Sequence, residues 1–140
     1  LLRVGVRVQK EVIEALKRVF EGDGKVLAAY LFGSKVRGTD VESSDFDIAV
    51  LLSSTPKNLL DYYLYLLNRL SEILGDSVDL IILNTAPPLL KHQVIKWGKP
   101  IYTRSERSRI LFEASAQCEY LDFKRAMERY DECLIKQILG

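Results

Sequence analysis

The stretch from Val26 to Leu52 restricts this chain more than any other. An apolar run, Val26–Phe32, leads through a polar segment bearing Gly33 and Gly38 into a second apolar run that opens with Asp45 and Asp47. Apolar runs of this length between turn residues predict two buried strands, Val26–Phe32 and Asp45–Leu52. Side chains alternate along a strand, so Asp45 and Asp47 share one face while Phe46, Ile48 and Val50 share the other and fill a core. Taken alone, the two acids read as a solvated strand end. Adjacent carboxylates repel, however, and hold such a place only with good solvation or a cation. A further acid, Asp79, interrupts the apolar strand Val78–Leu83, where a lone carboxylate is equally costly. It pairs with a buried arginine or joins the other two. If the third strand lies beside the second, three carboxylates converge as hard oxygen donors suited to Mg²⁺ or Mn²⁺.

The rest of the chain alternates helix with strand. Val8, Val12, Ala15, Leu16, Val19 and Phe20 share one face of a helix over residues 8–20, stopped by Gly22-Asp23-Gly24. Ser53-Ser54-Thr55-Pro56 supplies a cap and an N1 proline for a helix from Lys57 to Leu74, ended by Gly75. Pro87-Pro88 opens a helix to Trp97, with Gly98 as its C′ residue, and Pro100–Thr103 follows as a short edge strand. Ser105 caps a long C-terminal helix, about 105–139, with Ile110, Leu111, Ala114, Cys118, Leu121 and Arg125 on one side. The pattern predicts one α+β (α/β-like) domain over residues 1–140, a mixed sheet with flanking helices and a core spanning about 8–103.

Composition narrows the function classes. At 140 residues and 48% hydrophobic content the chain is globular, and no apolar run reaches the ~20 residues of a membrane span. A net charge of +1 excludes a broadly basic nucleic-acid coat, so direct nucleic-acid binding is not expected. The single histidine, His92, rules out multi-histidine zinc sites. Cys118 and Cys133 fit no metal spacing and read as buried small hydrophobes; free thiols without a secretory signal point to the cytoplasm. Six Lys/Arg between Lys91 and Arg109 form an anion patch or a solvated surface. Of Tyr62, Tyr63 and Tyr65, helical spacing sends most to the core and at least one outward.

The loop supplies the complement to the acids. Glycine lets backbone N–H groups approach a phosphate, the Ser34 hydroxyl can hold an anionic oxygen, and Lys35 and Arg37 add positive charge. Gly33-Ser34, ten residues, then Asp45-Phe46-Asp47 resembles the signature of the DNA polymerase β-like nucleotidyltransferase superfamily. With Arg37-Gly38 and Ser44, the string is similar to its minimal nucleotidyltransferase (MNT) branch, the MntA-like antitoxins. Trp97-Gly98-Lys99-Pro100-Ile101-Tyr102 resembles that branch more loosely.

The resemblance implies a polymerase β-like fold with its site at the sheet edge. Asp45 and Asp47 would bind Mg²⁺ or Mn²⁺, with Asp79 completing the cluster and helping to activate an acceptor hydroxyl. Gly33 and Ser34 would grip the triphosphate, with Arg37. The reaction implied is transfer of AMP from ATP to a hydroxyl, a tyrosine of a helical HEPN RNase toxin, making the chain a protein adenylyltransferase and antitoxin. Silencing by binding alone is the alternative. Transfer to a small antibiotic ranks lower, because only about 35 residues follow Thr103, too few for the acceptor domain such enzymes usually carry. A small domain also leaves sheet edge and helix stripe exposed, which homo- or hetero-oligomer formation would cover.

Overall fold

The computed structural model describes residues 2–32, 46–75 and 78–139. Strands β1 (Val26–Phe32), β2 (Phe46–Leu52), β3 (Val78–Ile82) and β4 (Lys99–Thr103) form one mixed sheet in the order β3-β2-β1-β4. β1 runs antiparallel to β2 and β4, whereas β2 and β3 are parallel. The order of elements is the expected one.

Alternation divides the core between the two sheet faces. Ala29, Ile48, Val50, Leu80 and Ile82 pack with Leu16 and Phe20 of α1 (Leu2–Gly22) and with Leu66 and Leu70 of α2 (Leu59–Leu74). Each such fully buried Leu or Phe contributes about 1.5–3 kcal/mol. On the opposite face, Ala28, Tyr30, Ala49 and Leu51 pack with Val94 of α3 (Pro88–Trp97) and Phe112 of α4 (Glu106–Leu139).

Several boundaries differ from those read in the sequence, each for a local reason. α1 begins at Leu2 rather than residue 8. α2 starts at Leu59, because Asn58 and not Thr55 is the cap: its Oδ1 accepts the Asp61 N–H at 3.2 Å. Pro56 therefore lies before the helix. β3 stops at Ile82, and Leu83–Thr85 turns into a 3₁₀ helix. The Asn84 amide takes over the missing pairing, accepting from the Leu52 N–H at 2.8 Å and donating to the Leu52 carbonyl at 2.9 Å. Gly98 is extended (φ −77°, ψ 152°), not left-handed. Its small size is required instead, since a Cβ there would meet the Val94 carbonyl oxygen.

The C-terminal helix is as long as expected, but its inward side is not. Ile110, Leu111 and Leu121 of the anticipated stripe are exposed, while Phe112, Ala116 and Tyr120 face the body. That inward side is chemically mixed, which hides it from a hydrophobicity pattern. Glu113 accepts from the Tyr30 hydroxyl at 2.8 Å and from Arg109 at 2.9 Å, and Glu119 pairs with Lys91 at 3.1 Å. His92 stacks on Tyr120 at 3.7 Å. Cys118 and Cys133 are both exposed, not buried as expected: Cys118 lies off the inward side, and Cys133 lies on the part of α4 where every side chain is exposed. Tyr62 is buried and Tyr65 is 51% exposed, the division that helical spacing predicts.

Candidate active site

The register of the central strands decides what the acids can do. Asp47 of β2 lies opposite Phe32 of β1 on one side and Asp79 of β3 on the other. Neighbouring strands lie about 4.8 Å apart, and registered partners project to the same face. Asp47 has the parity of Ala49 and Leu51, so the two carboxylates sit on the α3–α4 face, at the end where β1 finishes and β2, β3 and β4 begin. Asp47 is partly buried; Asp79 is exposed, on an edge strand. The fold thus brings together two of the predicted acids. Asp45, Gly33, Ser34 and Arg37 lie outside the described residues, although Gly33 follows Phe32 and Asp45 precedes Phe46 by one peptide bond each. Among the described residues no three metal-ligating side chains gather.

Asp47 and Asp79 offer the donor set a hard divalent cation takes, carboxylate oxygens on adjacent strands with one face open to solvent. The residues present therefore fit a Mg²⁺ or Mn²⁺ site. The same end of the sheet carries groups that pattern reading left without a role. Trp97 ends α3 and is 44% exposed, with Lys96 Nζ 5.2 Å from its ring centroid. Gly98 lies against Phe32, and Lys99 opens β4 opposite Leu31. Their signal was the Trp97-Gly98-Lys99 string.

The basic run from Lys91 to Arg109 does not form one patch. Lys91 pairs with Glu119, Arg109 pairs with Glu106 at 2.7 Å and Glu113 at 2.9 Å, and Arg104 donates to the carbonyls of Glu21 and Gly24 at 3.0 and 2.9 Å. A cavity of about 500 Å³ at the other end of the sheet is lined by Asp23, Lys25, Asn58, Asp61, Tyr62 and Tyr65 among others. Its polar groups pair with each other. Tyr62 donates to Asp23 at 2.6 Å, Asn58 donates to Asp61 at 2.6 Å, and Lys25 lies over the Tyr62 ring. They stitch a turn together rather than await a ligand. No helix among the described residues is long and apolar enough to cross a membrane.

Comparison with known proteins agrees with this geometry. Over 78 residues the chain is 38% identical to the protein adenylyltransferase MntA of Shewanella oneidensis, an alignment covering 56% of this chain and 55% of that protein. The chain thus spans about half the length of that relative. MJ1379 of Methanocaldococcus jannaschii is 39% identical over 72 residues, 51% of this chain and 72% of that protein. A crystal structure of a toxin–antitoxin with AMP-PNP contains a chain of the same fold (TM-score 0.68, 26% identity, 91% of this chain and 98% of that one). The fold also recurs in a complex of tri-AMPylated Shewanella oneidensis HEPN toxin with MNT antitoxin (TM-score 0.60, 24% identity, 95% of this chain and 97% of that one). The profile of the family described as "Polymerase beta, Nucleotidyltransferase" matches residues 14–107. Since that match takes in every strand of the sheet and the rung that joins Asp47 to Asp79, the chain belongs to the polymerase beta nucleotidyltransferase family.

Proposed function

We propose that this chain transfers AMP from ATP to a tyrosine hydroxyl of a helical HEPN RNase toxin and so acts as its antitoxin. The observation that carries the reading is the rung on which Asp47 and Asp79 stand side by side, next to the strand that leads into Gly33-Ser34. Asp45, Asp47 and Asp79 would hold Mg²⁺ or Mn²⁺, which when bound supplies charge neutralisation at the triphosphate. Gly33 and Ser34, with Arg37, would grip the phosphate tail.

In the reaction the acceptor oxygen bonds to the α-phosphorus, the bond from that phosphorus to the bridging oxygen breaks, and pyrophosphate leaves with the electron pair. The hydroxyl proton passes to a carboxylate, for which Asp79 is best placed: it is exposed and on the edge strand, where a protein-sized acceptor can approach. The name of the Shewanella relative supports protein adenylylation, and the AMP-PNP complex supports an adenine nucleotide. The exposed free thiols Cys118 and Cys133 suit a reducing cytoplasm.

The test is label transfer from α-labelled ATP, with Mg²⁺, to a purified helical HEPN RNase toxin. A labelled toxin band that needs both Asp47 and Asp79 is the expected result. Neutralisation of the toxin without any label, unchanged in Asp47→Asn/Asp79→Asn, would replace catalysis with occlusion.

A further inference from the structure

The inward side of α4 does not end where the domain ends. Phe112, Ala116 and Tyr120 face the sheet and α3. Stepping on from Tyr120 by three, four, three and four residues, the same side continues as Phe123, Met127, Tyr130 and Leu134. These four are 37%, 43%, 60% and 41% exposed, and every side chain from 121 to 139 is exposed. A seam of a and d positions is therefore covered by the chain's own body for its first half and left open for its second.

We propose that the open half binds the same segment of a second copy of this chain, antiparallel, as a two-helix coiled coil. The seam is self-complementary in that direction. Antiparallel pairing sets Phe123 against Leu134 and Met127 against Tyr130 of the second copy, and the reverse, so each layer joins one aromatic to one aliphatic side chain. One flank brings Lys124 beside Asp131 of the second copy, twice by symmetry; the other pairs the small uncharged Ala126 and Cys133.

Parallel pairing fails on two counts. It stacks Phe123 and Tyr130 each on itself. It also forces both copies of α3 onto one level, because α3 already occupies this side of the helix through the Lys91–Glu119 pair and the His92–Tyr120 stack. Antiparallel copies hold their domains at opposite ends of the coil.

The experiment is sedimentation equilibrium of the 140-residue chain across micromolar to submillimolar concentration, with circular dichroism as a fold control. The wild type is expected at twice 16.0 kDa. Met127→Glu should weaken association about a hundredfold with folding retained, since Met127 is exposed and belongs to neither core cluster. Lys124→Glu and Asp131→Lys should each weaken it about tenfold, and the two together in one chain should restore it, which an interface with a different protein would not do. A chain that stays monomeric, a dimer indifferent to Met127→Glu, or a double charge swap that restores nothing would each overturn the proposal.

Discussion

Asp47 and Asp79 occupy one rung of the parallel β2–β3 pair, with Phe32 on the far side of Asp47. A cation held by both would offset the mutual repulsion of like charges so placed. Asp47→Asn and Asp79→Asn should each lower label transfer from ATP at least about a hundredfold while leaving the fold intact. Mg²⁺ should raise the wild-type melting temperature, chelation should reverse the rise, and neither variant should respond. Wild-type activity and Mg²⁺ response in Asp79→Asn would remove that residue from the site.

Gly98 and Gly22 make opposite predictions. A Cβ at Gly98 collides with the Val94 carbonyl and crowds Phe32, so Gly98→Ala should cost about 1–3 kcal/mol in denaturant melts. Nothing lies within 4 Å of a Cβ at Gly22, the last residue of α1. There Gly22→Ala should be neutral or stabilise by up to about 1 kcal/mol.

Alkaline stability should follow Tyr30 and Tyr62. Burial, then donation to Glu113 and Asp23 respectively, pushes both phenols well above their ordinary range. The unfolded chain releases these protons near pH 10 and the folded chain does not. The stabilisation is therefore full below about pH 10 and is lost as pH rises from there through the folded-state values. Two of the seven tyrosines should ionise late in an ultraviolet titration, coincident with unfolding. Tyr30→Phe/Tyr62→Phe should flatten the decline in melting temperature; an unchanged slope would count against this assignment.

Arg104 should matter for stability and Arg107 should not. Arg104 bridges the end of β4 to the carbonyls that close α1, and its Nε donates to the Tyr102 hydroxyl at 3.0 Å. Thermal melts of Arg104→Ala should show a loss of about 1–2 kcal/mol, with Arg104→Lys recovering only part, because one ammonium cannot reach that fork of acceptors. Arg107 is exposed, and Arg107→Ala should be silent.

What the sequence disclosed follows from how local each signal is. Alternation around Asp47 and an acid inside an apolar run at Asp79 are local patterns, and they were enough to anticipate the paired carboxylates. Their shared rung depends on register, which no local pattern contains. Asn58 displaced Thr55 as the cap of α2 because the path of the chain from β2, which no local pattern contains, decides where the helix starts. Gly98 was legible as a necessary glycine but for another reason, since its constraint comes from Val94 and Phe32 rather than from its own φ. The inward side of α4 was misread because Arg109, Glu113 and Glu119 sit on it, and Glu113 and Glu119 are satisfied by Tyr30 and Lys91, partners distant in sequence.

The same ties make α4 a lever. Tyr30 and Lys91 hold its root through Glu113 and Glu119, while the segment from Leu121 onward extends about 28 Å at 1.5 Å per residue. A tilt of about 10° at the root carries the tip roughly 5 Å. The fulcrum is on β1, two residues before Phe32 and the carboxylate rung. A load on the far end of the helix thus bears on the strand beside the Asp47–Asp79 rung.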